Sequence, residues 1–137
     1  MNESVAVMLS RHVISSPRDG LIVIELFGER DDPEAHAAFE ALMKRLEADP
    51  VDQILIDVRR ADYAGPPEDI YARAFGYGDG LAPGKIAILA RTLDCIYARF
   101  WRRGLIETRH ETAVFVCAEE ADAWLNSNAE DDTLYLA

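Results

Sequence analysis

The sequence predicts an α/β fold: a mostly parallel five-stranded sheet with an antiparallel edge strand from an N-terminal hairpin, flanked by about four helices. Two observations lead to this prediction. Short runs rich in Val, Ile and Leu alternate with longer segments whose apolar residues recur every three or four positions, which is typical of parallel strands joined by right-handed helical crossovers. The first two apolar runs are separated only by a tight turn, which favours an antiparallel pair. The chain has 137 residues, so we expect one domain, with a core at about 12–126 and an acidic tail at 127–137.

The hairpin comes first along the chain. A strand at 12–16 leads into the stretch SPRDG, where Pro17 and the pair Asp19-Gly20 are turn residues. The run LIVIELFG at 21–28 is β-branched and apolar, so it is the second strand. We place the antiparallel strand of this pair at an edge of the sheet.

A helix is predicted after the hairpin. Asp32 is suited to its N-cap and Pro33 to its first helical position, and Asp49-Pro50 ends it. Its apolar face is formed by residues at three- and four-residue spacing: Ala35, Ala38, Phe39, Leu42 and Leu46.

The central strands are predicted at 53–58 and 85–90, where short apolar runs are typical of strands covered on both faces. Between them, a helix begins at Pro66-Pro67 and extends to about Tyr77. The glycine-rich stretch 76–84 is expected to break this helix. Because that stretch follows a helix and precedes a strand, it does not fit a phosphate-binding loop.

The last predicted elements are a helix at 95–106, a strand at 112–118 and a closing helix at 119–128. Thr92 or Asp94 is suited to cap the first of these. The helix at 95–106 is expected to face the sheet or a neighbouring helix through its apolar residues Tyr97, Phe100, Trp101 and Leu105.

The charge of the chain limits its partners. The net charge of -11 repels phosphate backbones and anionic membrane surfaces, so we expect no nucleic-acid partner. No apolar run is long enough to span a bilayer, so we expect no integral membrane segment. With an acidic start, no signal peptide and two cysteines interpreted as reduced thiols, Cys95 and Cys117, the protein is expected in the cytoplasm.

No constellation of residues predicts catalysis. The sequence lacks a nucleophile-elbow motif and metal-binding spacings of Cys or His, so we predict no enzyme, no catalytic residue, no metal and no cofactor. His110 beside Glu111 is interpreted as a surface histidine. Cys95 is interpreted as a packed, inert thiol and Cys117 as a core residue.

Four stretches together resemble the STAS superfamily, and in particular its stand-alone bacterial members, the SpoIIAA-like proteins. These stretches are GLIVIELFG, ILIDVRRADYAG, GKIAILA and ETAVFVCAEEADAWL, and the resemblance covers about 13–125. Such proteins share features with the CRAL-TRIO lipid carriers. The resemblance implies a SpoIIAA-like fold and a regulatory, protein-binding role.

One position departs from the anti-sigma-factor antagonists of that superfamily. By this resemblance, the loop after the third strand corresponds to the Asp-Ser-Ser-Gly loop of the antagonists, in which the second serine is phosphorylated. This chain has Asp62, Tyr63, Ala64 and Gly65 there, and Pro66 in place of the usual leucine. Ala64 has no hydroxyl to phosphorylate, so we expect the 62–65 loop to be a binding or structural loop.

A second candidate surface consists of aromatic and arginine side chains on the two middle helices: Tyr71, Phe75, Tyr97, Trp101, Arg102 and Arg103. Three interpretations remain open: ordinary core packing with solvated arginines, a crevice between the helices for an apolar or anionic ligand, or an interface. From the resemblance and the lack of a catalytic constellation, our first hypothesis for the function is a non-catalytic regulatory module that binds a protein partner or itself. The alternative is a small carrier or sensor of a lipid-like ligand.

Overall fold

The structure, a computed structural model, describes residues 11–82 and 84–127. The predicted acidic tail, apart from Ser127, lies outside the described residues. The described elements, in chain order, are β1 (His12–Arg18), β2 (Leu21–Glu29), α1 (Asp32–Ala48), β3 (Gln53–Asp62), α2 (Pro67–Gly80), β4 (Lys85–Leu89), α3 (Ile96–Glu107), β5 (Glu111–Phe115) and α4 (Ala118–Leu125).

The sheet follows the chain order β1-β2-β3-β4-β5. Strand β1 pairs with β2 in the antiparallel direction, and every other neighbouring pair is parallel. The predicted fold class is therefore confirmed, including the hairpin and the antiparallel edge strand. Gly20 makes the hairpin turn possible because its φ of 84° lies in the left-handed region that glycine adopts at little cost.

The two faces of the sheet carry different layers. Ile24, Ile56 and Ile88 lie in register on one face, which is covered by α1, α2 and α3. Leu55, Ala87 and Ala113 lie on the other, which is covered by α4. This division follows from sequential right-handed crossovers, which place successive helices on the same side.

The start of α1 differs by one residue from its prediction. Asp31, not Asp32, occupies the N-cap, and its Oδ1 accepts a hydrogen bond from the backbone N–H of Glu34 at 3.0 Å. Two adjacent aspartates are equally suitable caps by type. The extended backbone of Asp31 decides between them.

Strand β3 is four residues longer than predicted and ends at Asp62. With the strand predicted to end at residue 58, the charged pair Arg59-Arg60 is expected in the turn that follows. In the structure they remain in the strand and are exposed. Arg60 forms an ion pair with Glu25 on the neighbouring strand at 3.0 Å and lies over the ring of Phe27, so the strand continues along β2.

Helix α2 also continues past its predicted end, through the glycines of the 76–84 stretch to Gly80. Gly78 and Gly80 allow close packing. A Cβ atom added to Gly78 would lie only 1.9 Å from Oγ1 of Thr108. His110 packs there too, and its Nε2 is 2.8 Å from the carbonyl oxygen of Gly78. The prediction of a surface histidine was therefore wrong, because His110 is buried.

The predicted ends of the last elements shift for a local reason. Neither Thr92 nor Asp94 caps α3, since Cys95 holds the N-cap position without a side-chain hydrogen bond. Strand β5 ends at Phe115. The extended backbone of Cys117 then begins α4. Cys117 is half-buried rather than a core residue, and its Sγ donates to Oε1 of Glu119 at 2.9 Å.

Candidate functional site

The 62–65 loop lies at the carboxyl end of β3, where Asp62 is paired in register with Glu29 of β2. Asp62, Ala64 and Gly65 are exposed, whereas Tyr63 is half-buried. The carboxyl ends of parallel strands are where ligands and partners commonly approach an α/β sheet. Because the exposed residues Ala64 and Gly65 have little or no side chain, the loop presents a small, mostly backbone surface to solvent.

Two tyrosines hold this loop against α3. The indole Nε1 of Trp101 donates to the hydroxyl oxygen of Tyr63 at 3.0 Å. The hydroxyl of Tyr97 donates to the carbonyl oxygen of Gly65 at 3.2 Å. The rings of Tyr63 and Tyr97 stack with centroids 5.0 Å apart, so the loop and the N-terminal half of α3 form one joined surface.

Burial keeps the phenol of Tyr63 in its neutral form. Burial raises the pKa of Tyr63 above its ordinary value, although its hydrogen bond to Trp101 acts in the opposite direction. The buried side chain of Arg30 lies nearby, and its Nη1 donates to the carbonyl oxygen of Arg11 at 2.8 Å. The backbone N–H of Arg30 also donates to the carbonyl oxygen of Asp62. Sequence analysis missed Arg30, because one arginine between a strand and a cap carries no periodic signal.

The predicted crevice between α2 and α3 is not open at the level where the helices meet. A Cβ atom added to Gly104 would lie 2.7 Å from Cβ of Ala74 and 2.9 Å from the carbonyl oxygen of Tyr71. The helices are in direct contact there. Trp101, predicted to line the crevice, is only 2% exposed and packs edge-on against Tyr77. It is a core residue.

The other predicted crevice residues are distributed over the surface of the two helices. Tyr71 donates a short hydrogen bond to the carboxylate of Glu107, which raises the pKa of the phenol. Arg103 lies over the Tyr71 ring, 5.6 Å from its centroid. Phe75 is exposed next to Tyr71. Arg102 turns away, and its Nε donates to the carbonyl oxygen of Thr112 on β5 at 3.1 Å.

The outward side of α3 forms a groove that sequence analysis did not identify. Its volume is about 560 Å³, and its lining residues are Ile96, Arg99, Phe100, Arg102, Arg103, Ile106 and Glu107. The apolar side chains of Ile96 and Ile106, which are exposed, were the sequence signal that could have indicated this groove. They were overlooked because the apolar residues on the inward side dominate the helical pattern.

Within the described ranges, no three His, Cys, Asp or Glu side chains are grouped so that they could hold a metal ion. Over the same ranges, no helix has the length and apolar character needed to cross a membrane.

Comparison with known proteins identifies the fold. No protein-family model matches the chain, and no curated protein is detectably similar to it in sequence. Solved structures are similar. A crystal structure of an anti-sigma factor antagonist from Mycobacterium paratuberculosis shares 19% identity at a TM-score of 0.61, covering 85% of this chain and 93% of that one.

Two further structures agree. The anti-sigma factor antagonist SpoIIAA in its unphosphorylated form has 18% identity and a TM-score of 0.58, covering 81% of this chain and 92% of its own. An uncharacterised DUF3478-family protein with a SpoIIAA-like fold, from Shewanella loihica PV-4, has 18% identity and a TM-score of 0.59, covering 83% and 91%. The chain thus has the SpoIIAA-like fold.

Proposed function

We propose that this protein is a regulatory binding module that acts through protein-protein contacts, without a phosphoserine switch in its 62–65 loop. The carrying observation is the loop itself. It sits at the carboxyl end of β3, is joined to α3 through Tyr63 and Tyr97, and has the methyl group of Ala64 where the antagonists it resembles have a serine. The antagonist fold of two matched structures supports the same proposal.

The setting of this module is part of the proposal. We take residues 1–137 as one domain in the cytoplasm. The free thiols of Cys95 and Cys117 are compatible with a reducing compartment. The net charge of -11 disfavours nucleic acid and supports a protein as the partner. The proposed activity is binding alone.

Affinity purification from the native cell tests the proposal. Wild-type protein is compared with Ala64→Lys in the loop and with Ala37→Lys, a matched change at an exposed position of α1. Quantitative mass spectrometry of the eluates is expected to show a partner with the wild type and with Ala37→Lys. Ala64→Lys is expected to lose that partner. Equal recovery by the two variants, or a wild-type eluate with no partner, would contradict the proposal.

Mass spectrometry of the same native protein tests the absence of a phosphate switch. Peptides that contain the 62–65 loop are expected to carry no phosphate, because the switch position has no hydroxyl. Stoichiometric phosphate on Tyr63 would overturn this part, since Tyr63 is the hydroxyl-bearing residue of the loop.

One observation favours the alternative of a small carrier at a different place from the predicted crevice. A cavity of about 240 Å³ lies between the C-terminal ends of α1 and α2, and its lining includes Met43, Leu46, Val51, Ile54 and Leu81. This cavity is small for a ligand site. A carrier would have to retain a short apolar chain there. Native mass spectrometry after gentle purification is the test, with decanoate as the added probe. A bare protein mass with no rise in melting temperature excludes this candidate.

A further inference from the structure

The outer face of α3 is more apolar than a solvated helix face needs to be. We define this face by Ile96, Arg99, Phe100, Arg103 and Ile106, each of which lies three or four residues from another member of the set. Ile96 is 49% exposed and Ile106 is 40% exposed. Three apolar side chains along one exposed stripe are typical of a surface that another molecule covers.

The fold does not account for this face. Helix α3 is attached to the sheet and to α2 by its inward residues, Ala98, Trp101 and Leu105, all of which are buried. Of the outer residues, Phe100 also packs on the edge of the core. Ile96 and Ile106 could be polar without disturbing the described packing. Their apolar character therefore indicates a role outside the core.

The charge of the same face is opposite to that of the whole chain. Arg99 is exposed, and its side chain makes no hydrogen bond or ion pair with any residue in 11–82 or 84–127. The side chain of Arg103 is 67% exposed, and its Nε lies 3.4 Å from a carboxylate oxygen of Glu107. Exposed pairs of this kind contribute at most about 1 kcal/mol, so an incoming carboxylate can replace Glu107.

The position of Arg103 is partly fixed before any partner arrives. Its guanidinium lies over the Tyr71 ring, whose hydroxyl is held by Glu107. A planar guanidinium that is oriented in advance loses less entropy when it binds a carboxylate. Arg99 and Arg103 lie one turn apart, which matches carboxylates spaced one turn apart on a partner helix.

We propose that the outer face of α3 binds an acidic amphipathic helix of a partner protein. In this complex, apolar side chains of the partner enter the 560 Å³ groove, and its carboxylates contact Arg99 and Arg103. This inference rests on the proposed function and names the chemistry of the partner. A membrane is less suited as the occupant, because an extended anionic surface would also meet the rest of a chain whose net charge is -11. A single helix contacts only the stripe that carries Arg99 and Arg103.

A defined peptide tests this proposal with the full chain. The probe is a synthetic helical peptide of leucine, glutamate and alanine, with leucine at every third or fourth position and glutamate beside it. A second peptide has lysine in place of glutamate. Nuclear magnetic resonance titration is expected to show shifts confined to Ile96–Glu107 with the acidic peptide and none with the basic one. Equal response to both peptides, or shifts centred elsewhere, overturns the proposal.

Charge-matched variants separate specific contact from general repulsion. Arg99→Glu lies on the face, and Lys44→Glu makes the same change of charge at an exposed position of α1. Arg99→Glu is expected to weaken binding of the acidic peptide by about tenfold or more, and Lys44→Glu is expected to weaken it by much less. Equal weakening overturns the proposal. So does preferential binding to phosphatidylglycerol vesicles, which would identify a membrane as the occupant.

The native purification distinguishes failure of this inference from failure of the proposed function. A partner that is lost with Ala64→Lys but fully retained with Arg99→Glu overturns the α3 proposal and leaves the binding module intact. Peptide binding mapped to α3, with no partner recovered by the wild type, overturns the proposed function and supports the α3 face.

Discussion

Single glycines determine how closely the helices of this protein approach one another. Gly104 of α3 lies directly on the backbone of α2, and it is this contact that closes the expected crevice. Gly76, on α2, has open space where a Cβ atom would be. An added methyl group is therefore expected to destabilise the protein at Gly104 but not at Gly76, and both changes in stability can be measured.

Gly104→Ala is expected to lower the free energy of unfolding by about 1–3 kcal/mol, because the added methyl group meets backbone atoms that cannot move aside. Gly76→Ala is the matched control and is expected to be neutral or stabilising by up to about 1 kcal/mol. Urea denaturation measures both. A Gly104→Ala variant as stable as the wild type would show that α2 and α3 are not in contact there.

The phenols of Tyr77, which is buried, and Tyr63, which is half-buried, make stability depend on pH at the alkaline end. Burial raises the pKa of Tyr77 well above its ordinary value of about 10, and its hydroxyl donates to the carbonyl oxygen of Ala35 at 2.6 Å. Burial also raises the pKa of Tyr63. A group whose pKa is raised on folding keeps its proton in the folded state after the unfolded chain has lost it.

The free energy of unfolding is therefore expected to fall as the pH rises above about 10, by up to about 1.4 kcal/mol per pH unit for each such phenol. Below that pH the contribution is fully present. Tyr77→Phe removes one titrating group, so its stability should fall less steeply as the pH rises above about 10. Identical slopes for Tyr77→Phe and the wild type, measured by urea denaturation at each pH, would contradict this assignment.

At the scale of elements, strand β3, the 62–65 loop and helix α3 act as one unit. After Asp62, the last residue of β3, the loop has no regular structure, and its order comes from the stacked rings of Tyr63 and Tyr97 and from two hydrogen bonds to α3. A partner that binds the loop therefore contacts a surface whose conformation is already set, which reduces the entropy lost on binding.

Tyr97→Ala removes the stacking partner and the donor to Gly65. Amide hydrogen exchange within residues 62–65 is then expected to accelerate by about fivefold, because an interaction of about 1 kcal/mol has been lost. Arg99→Ala, on the same helix but without a contact to the loop, serves as the control. Unchanged exchange in Tyr97→Ala would mean that the loop is ordered by other contacts.

The whole molecule is held together by two layers on opposite faces of one sheet. The layer of three helices is broad, whereas the second layer is the short helix α4. The fully buried Trp124 anchors α4, with Phe115 packed against it and Nζ of Lys85 4.8 Å from its ring centroid. Loss of this one side chain should therefore weaken the entire second layer.

Trp124→Ala is expected to cost about 3–5 kcal/mol of unfolding free energy. Val116→Ala, at an exposed position just before α4, is expected to change it by less than about 0.5 kcal/mol. Urea denaturation followed by circular dichroism measures both. If Trp124→Ala does not fold, Trp124→Phe provides a milder loss for comparison. A cost for Trp124→Ala as small as that for Val116→Ala would show that α4 does not anchor the second layer.

The sequence by itself determined the order and kind of the elements in this protein, its hairpin and the absence of a hydroxyl at Ala64. These features depend on local properties: apolar periodicity, turn residues and the identity of one side chain. The ends of β3 and α2 could not be predicted from the neighbouring residues in the sequence. Arg60 stays in its strand because of Glu25 on the next strand, and Gly78 stays in its helix because Thr108 packs against it.

Only the tertiary structure decided which aromatic residues are core and which are surface. Trp101 and Phe100 are adjacent in sequence and equally apolar, but Trp101 is buried under α2 while Phe100 lines the outer groove. The contact at Gly104 removed the expected crevice and left the exposed stripe on the other side of α3. The physical reason is that burial depends on which residues lie opposite in space, and these contacts join parts of the chain far apart in sequence.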